Sequence, residues 1–306
     1  MPPASTILMI RPASFGYNEE TAVNNFFQSQ LNIGTEELQQ KAVEEFDNAT
    51  RILSDYGINV IVIDDIKDPP KPDAIFPNNW LSTSPDGIIT IFPMYAPNRR
   101  LERRDDILKL LKKKFIVKEV QDITGLENEG HYLEGTGSMV VDNENKMIYA
   151  AISERTSVAA LEKFASTGGY QAIAFIATDK NGKPVYHTNV MMCLGDHFAV
   201  LCEESIEEEW ELIAVRQLLE STGHSIIPIT KEQMHDFAGN MLLVKNNKEQ
   251  KFLLMSERAY LSLRKEQKQM LEAYASLITL SIPTIEKVEG GSVRCMMAEI
   301  FLELCQ

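Results

Sequence analysis

The chain has 306 residues, 44% hydrophobic and 24% charged, with a formal net charge of −14, the balance of a soluble globular protein with a sizeable core. The negative charge argues against a nucleic-acid partner, which needs clustered Lys and Arg, and no run approaches the roughly 18 apolar residues of a membrane span. There is no basic leader ahead of an apolar stretch, and Cys193, Cys202, Cys295 and Cys305 show no CxxC spacing. The expectation is a reduced, cytoplasmic protein without a zinc site.

Taken in chain order, residues 36–56 place Leu38, Ala42, Val43, Phe46, Ala49, Ile52, Leu53 and Tyr56 at helical spacing, and Gly57 ends that helix. INVIVID follows as a buried strand. GIITIFPM then reads as a strand, RRLERRDDILKLLKKK as a helix and FIVKEV as a strand. GSMVVDNENKMIYAAIS reads as a hairpin about Asn143 and Asn145, with a helix over 154–166 after it. YQAIAFIA and KPVYH flank DKNG, whose Asn-Gly pair predicts a tight hairpin turn. TNVMMCLGDHFAVLCEE predicts two strands about Gly195-Asp196, before a helix over 206–221 and the strand HSIIPI. NMLLVKN and KFLLMSE precede a helix over 258–275 and the strand LITLSI. The grammar is about five strand–strand–helix–strand units of roughly 55–60 residues each. With no Pro- or Gly-rich linker, it predicts one α/β domain over residues 1–306.

Polar residues beside apolar strand ends are the candidates for chemistry. They are Asp73, Asn78 and Asn79 in PDAIFPNNW, Arg99 and Arg100 in APNRRLERR, Glu134 in HYLEGTGSMVV, Arg155 in SERTS and His187 in VYHTNVMMC. Cys295 follows two glycines in EGGSVRC. Each has an ordinary alternative: turn residues for the asparagines, a solvated helix face for the arginines, a satisfied histidine, a buried core thiol for Cys295. Glu134 is hardest to explain so, because carboxylates are rarely buried unpaired, and Gly135 and Gly137 suggest close backbone approach to something. Together the residues offer a nucleophile, a His, a carboxylate, two arginines for a carboxylate and an aspartate for an amine. That inventory fits covalent catalysis on an amino acid. His131, His187, His197, His224 and His235 show no metal-ligand spacing such as HExxH, and no cofactor is called for.

The order DAIFPNN, APNRR, LEG.G, SERT, HTN and Cys295 resembles the pentein superfamily of guanidine-modifying enzymes, and most nearly its dimethylarginine dimethylaminohydrolases. MIRPASFGYNEETAVNNFFQ, DAIFPNNW and LEGTGSMV look like the bacterial citrulline-utilisation branch. The resemblance implies a five-bladed α/β propeller of ββαβ units. It implies Cys295 as nucleophile, His187 as general acid/base and Glu134 as the carboxylate that orients the substrate nitrogens. Arg99 and Arg155 fall on the positions that grip the α-carboxylate, and Asp73 on the one that holds the α-ammonium. Gly290 and Gly291 then read as space for substrate beside the thiolate.

Three acidic positions of the superfamily are neutral here, at Asn79, Asn189 and Gly137. Burying a guanidinium without a matching anion is unfavourable, whereas Asn79, with Asn189, offers donors and acceptors to a neutral ureido group. The substrate expected is therefore citrulline, cleaved to ornithine through a carbamoyl-cysteine. Arginine deiminase, dimethylarginine hydrolase and amidinotransferase activities are the alternatives within the scaffold, and a non-catalytic binding module is the alternative of another class. The partner expected is a small amino acid, with neither nucleic acid nor membrane; the subunit number is left open, a homodimer included.

Overall fold

Apolar runs without polar alternation become the middle strands of five three-stranded sheets. The computed structural model describes residues 3–305; Met1, Pro2 and Gln306 of the expected 1–306 span lie outside the described residues. The first sheet holds β1 (Thr6–Arg11) between β2 (Asn59–Asp64) and β15 (Ala298–Ile300). The second contains β3 (Leu81–Thr83), β4 (Ile88–Ile91) and β5 (Glu119–Asp122), and the third β6 (Val140–Asp142), β7 (Met147–Ala151) and β8 (Gln171–Phe175). The fourth contains β9 (Met192–Leu194), β10 (Phe198–Leu201) and β11 (Ser225–Pro228), and the fifth β12 (Leu242–Lys245), β13 (Lys251–Ser256) and β14 (Ser276–Leu280).

All five share one topology. The middle strand pairs antiparallel with the inner strand and parallel with the outer one across a helical crossover. β7 and β10 are buried along their whole length, as strands covered on both faces must be. The first sheet takes its inner strand from the far end of the chain, in the register Thr6↔Ile300 to Leu8↔Ala298.

The core lies between the sheets. Phe46, Leu254 and Ile278 join the fifth sheet to the first, and Leu8, Trp80 and Ile89 join the first to the second. Phe92, Leu133 and Ile148 join the second to the third, and one larger cluster with Tyr149, Val200 and Leu253 runs across the third, fourth and fifth. The five units thereby close on one another. No helix among the described residues is long and apolar enough to cross a membrane.

Several elements differ from their sequence expectation. KPVYH forms no strand, only an isolated Thr178–Pro184 bridge about the Asp179–Lys183 turn, because Pro184 has no N–H to extend a ladder. RRLERR begins as the 3-10 helix Pro97–Glu102, and the α-helix starts at Asp105; Arg103 and Arg104 are extended between them and pair with Glu127 and Asp106. The FIVKEV strand pairs with its neighbour only from Glu119. The helix expected from 154 starts at Val158 under a Ser157 cap, which leaves Arg155 in the preceding turn. The helix over 258–275 breaks into Glu257–Ser262 and Lys265–Glu272, where Leu263 turns into the core.

Candidate active site

Each inner strand is entered through a tight turn, and the turns meet at one end of the ring. Pro77–Asn79 leads to β3, Gly135–Ser138 to β6, Thr188–Met191 to β9 and Val293–Met296 to β15, while Asn240 stands just before β12. Asn79, Glu134, His187 and Cys295 reach this place from four different units. Glu134 and His187 thus stand at the N-caps of one-turn helices, where the sequence reading put them at strand ends.

The glycines serve the protein's own packing. A Cβ on Gly137 would lie 2.4 Å from Asn79 Nδ2 and 2.8 Å from His187 Nδ1, so both side chains rest directly on its backbone. Gly290, at φ +62°, ends the helix Pro283–Glu289, and a Cβ there would meet Gln28 N at 2.7 Å. A Cβ on Gly291 would meet the Phe76 ring at 2.8 Å. The room at Gly290 is taken by residues 25–28, while Gly291, under Phe76, lies on the wall of the cavity that Cys295 also lines.

A small, tight cavity lies at the meeting point, lined by Cys295, His187, Asn79, Arg99, Arg155, Asp73 and Glu289 among others. Glu134 and Asn189 are not on its wall. Asn189 sits behind the thiol, its Oδ1 3.7 Å from Cys295 Sγ and its Nδ2 bonded to Thr136 O. With Thr136 and Arg294 it lines a separate, larger cavity along the inner strands. His131, which the sequence left between pocket and loop, is not on the wall.

Cys295 is buried, and Asn240 Nδ2 donates to its Sγ at 3.3 Å. Burial pushes the thiol up against the opposing pull of the Ser292 backbone, Asn240 and Arg294, so at neutral pH it keeps its proton. His187 Nε2 lies 2.8 Å from Glu134 Oε2, and Tyr95 N donates to Glu134 Oε1 at 3.0 Å. Burial alone would raise the Glu134 carboxyl, but Arg155, the His187 hydrogen bond and Arg99 bring it down to about 2. An ionised carboxylate only accepts, so we assign the His187 proton to Nε2 and leave Nδ1, over Gly137, as the bare base. Burial, reinforced by Arg155 and Arg99, lowers His187 to about 4 although Glu134 pulls it up, and the imidazole is neutral.

The two arginines are not equivalent. The Arg99 fork faces Glu102, Nε to Oε1 at 2.8 Å and Nη2 to Oε2 at 3.0 Å, while Nη1 donates to Asn79 Oδ1 at 2.9 Å. Its bidentate edge, expected to grip a substrate carboxylate, is occupied by a residue three positions on in the same 3-10 helix. Arg155 is held by Asn24 Oδ1 and Thr21 O, both at 2.8 Å, and lies over the Tyr186 ring, with Nη1 3.6 Å from Glu134.

Asp73 Oδ2 takes Asn18 Nδ2 at 3.0 Å and Arg99 Nε at 3.2 Å, whereas its buried Oδ1 has no partner. Glu102, Asn240 and Glu289 were missed in the sequence. Glu102 was visible as the i+3 partner of Arg99 in RRLE, and Glu289 as the first letter of EGGSVRC. Nothing local marks Asn240, whose role depends on Cys295 and Asn189 in other units.

No curated protein sequence matches the chain. Solved structures share its fold. A substrate-bound Cys-to-Ser variant of the N-terminal domain of ArgZ, an arginine dihydrolase from cyanobacteria, superposes with TM-score 0.72 at 16% identity, covering 97% of this chain and 98% of that one. A Cys-to-Ala variant of AgrE with L-arginine gives TM-score 0.75 at 14% identity, covering 97% of this chain and 40% of AgrE, so this chain spans less than half of AgrE's length. A dimethylarginine dimethylaminohydrolase His-to-Gly variant, as its adduct with S-methyl-L-thiocitrulline, gives TM-score 0.66 at 15% identity over 97% of this chain and 100% of that one. The description "N,N dimethylarginine dimethylhydrolase, eukaryotic" matches residues 11–302. The chain belongs to that family, within the pentein superfamily, and is a C–N hydrolase of the class that acts on the guanidino groups of arginine-type substrates.

Proposed function

We propose that, within this class, the chain hydrolyses citrulline, the ureido relative of arginine, to ornithine, with residues 1–306 acting as one catalytic domain. The observation that carries this is the distribution of charge on the cavity wall. Among the described residues, the carboxylates on the wall are Asp73 and Glu289, and Asn79, His187 and Cys295 are uncharged. Glu134 lies behind them, committed to His187, Arg99 and Arg155. The wall matches a substrate with one ammonium and a neutral reacting group, which citrulline is and arginine is not.

In the reaction Cys295 Sγ attacks the ureido carbon as its proton passes to His187 Nδ1. The imidazolium, steadied by Glu134, then protonates the leaving δ-nitrogen. The C–N bond breaks, ornithine departs and a carbamoyl thioester remains on Cys295. Water, deprotonated by His187, attacks the thioester carbon. Sγ leaves as carbamate forms, and carbamate decomposes to carbon dioxide and ammonia. Cys295 and His187 are the catalytic residues and Glu134 is a positioning residue. Asn79 faces the reacting group, Arg155 takes the α-carboxylate and Arg99 holds Asn79 and Asp73. Asn189 supports the thiol from behind. Thiol, imidazole and water supply every step without a cofactor. Four unpaired cysteines support a reducing, cytoplasmic setting, and a homodimer is compatible with a site built within one chain.

Arginine is the second reading, favoured by the L-arginine bound to AgrE, which has this fold. On that reading ammonia leaves first, the adduct is an isothiourea on Cys295 that still carries the ornithine skeleton, and water then releases citrulline. Intact-protein mass spectrometry of enzyme quenched during turnover separates the two. A carbamoyl mass on the Cys295 peptide with citrulline supports the proposal; the mass of arginine less ammonia on that peptide with arginine, and an unmodified peptide with citrulline, contradicts it.

A further inference from the structure

Glu289 closes the helix Pro283–Glu289 and lines the cavity, yet the reaction above gives it no task. It is 2% exposed, with Oε2 3.4 Å from Gln28 Nε2 and Oε1 without a hydrogen-bond partner. Its backbone is fixed: Asn25 Nδ2 donates to Glu289 O at 2.9 Å, and Tyr186 Oη donates to Gly290 O at 2.5 Å. Asp73, its neighbour, likewise has one engaged oxygen and one buried bare oxygen, Oδ1. Two enclosed carboxyls on the wall of one small cavity thus each keep one oxygen to which no side chain donates, and buried acceptors are rarely left so.

The groups facing Glu289 are Asp73 from the 72–75 turn and Arg99 and Glu102 from the 97–102 helix, with Arg155, His187 and Cys295 across the cavity. Burial, and then the Asp73 carboxylate, push the Glu289 carboxyl well above its ordinary range, while Arg99 opposes this only in part because its fork is matched by Glu102. A proton held between Asp73 and Glu289 would supply the donor that their two bare oxygens lack, as like charges in one buried site favour.

We propose that Glu289 is, with Asp73, the second arm of a clamp for the α-ammonium of a free amino acid, and that entry of the ammonium sends the proton of the pair into solvent. This rests on the amino-acid reading above. The step balances: the protonated carboxyl and the substrate ammonium become a carboxylate–ammonium pair and one solvated proton, and no bond in the substrate changes. Binding tightens as pH rises, up to the point where Glu289 ionises without ligand. N-acylated and α-deamino relatives obtain neither the contact nor the proton release, so the clamp selects free amino acids.

Calorimetry in buffers of different ionisation heat tests this on the catalytically inert Cys295→Ser protein, with and without Glu289→Gln. Citrulline and arginine should each release about one proton on binding. Glu289→Gln should abolish the release and weaken binding about tenfold or more. 5-Ureidopentanoate, which lacks the ammonium, should release none from the Glu289 protein, a comparison that needs no second variant to fold. Unchanged release and affinity in Glu289→Gln, or equal release with 5-ureidopentanoate, overturns the clamp alone. If the folded Cys295→Ser protein binds neither amino acid, the amino-acid reading falls and the clamp falls with it.

Discussion

His187 and Cys295 share the cavity as an uncharged pair, because burial outweighs the charges around each. His187 titrates near 4 instead of 6.5, so protonation of Nδ1 is resisted across that interval. Its contribution to stability has the same sign: it is present above pH 6.5 and is lost as pH falls towards 4, where the unfolded chain takes up a proton that the fold refuses. An NMR titration, assigned with His187→Gln, should find this ring neutral well below the ordinary histidine range; a midpoint near 6.5 contradicts the account. Glu134→Gln removes the charge and one of the two acceptor oxygens, so with Tyr95 N keeping the remaining one the amide NH2 faces His187 and the wrong tautomer is favoured; kcat should fall about 10³–10⁴-fold with KM little changed. A change confined to KM would instead make Glu134 a substrate ligand. At this scale the sequence singled out Cys295, His187 and Asp73 as candidates, which the fold brings to one cavity, and said little of how side chains are oriented. That Arg99 faces Glu102, and that Glu289 faces Asp73, follows from packing between segments far apart in the chain.

Turns, more than strands, make the site. β4, β7, β10 and β13 were legible because their centres are apolar, whereas β1 was not read as a strand, and the helix Thr35–Asp55 was legible because Leu38, Ala42, Phe46, Ala49 and Leu53 fall on one face. The one-turn helices that present Glu134 and His187 span four residues each, too short for any period to show. Gly137, within the first of them, is the floor on which Asn79 and His187 rest. Gly137→Ala forces a methyl into Asn79 and His187 at 2.4 and 2.8 Å. We expect a loss of about 1–3 kcal/mol in stability and about a hundredfold in kcat from the displaced His187. Thermal melts and steady-state kinetics measure both, and a variant with full activity would show that the turn tolerates the displacement.

For the whole molecule, the ring depends on its last strand. β15 pairs with β1, Glu299 O accepts from Thr83 Oγ1 at 2.9 Å, and Glu299 Oε2 pairs with Arg294 Nη2 at 3.0 Å. Deleting residues 298–306 should remove the cooperative thermal transition, since β1 loses its inner neighbour and the first and second sheets lose Ala298 and Ile300 from their shared core; a melt like that of the full chain would mean that the ring is closed without β15. The unit count was legible in the sequence because the strand–strand–helix–strand grammar repeats. The closure was not, since nothing in AEIFLEL marks it as the partner of TILMIR. Citrulline is the substrate proposed for this ring. The most direct test of that proposal is amino-acid analysis of the purified protein incubated separately with citrulline, arginine and dimethylarginine. The account predicts ornithine from citrulline with the intact chain and none with Cys295→Ser. Inert citrulline, together with citrulline formed from arginine or dimethylarginine, would contradict it.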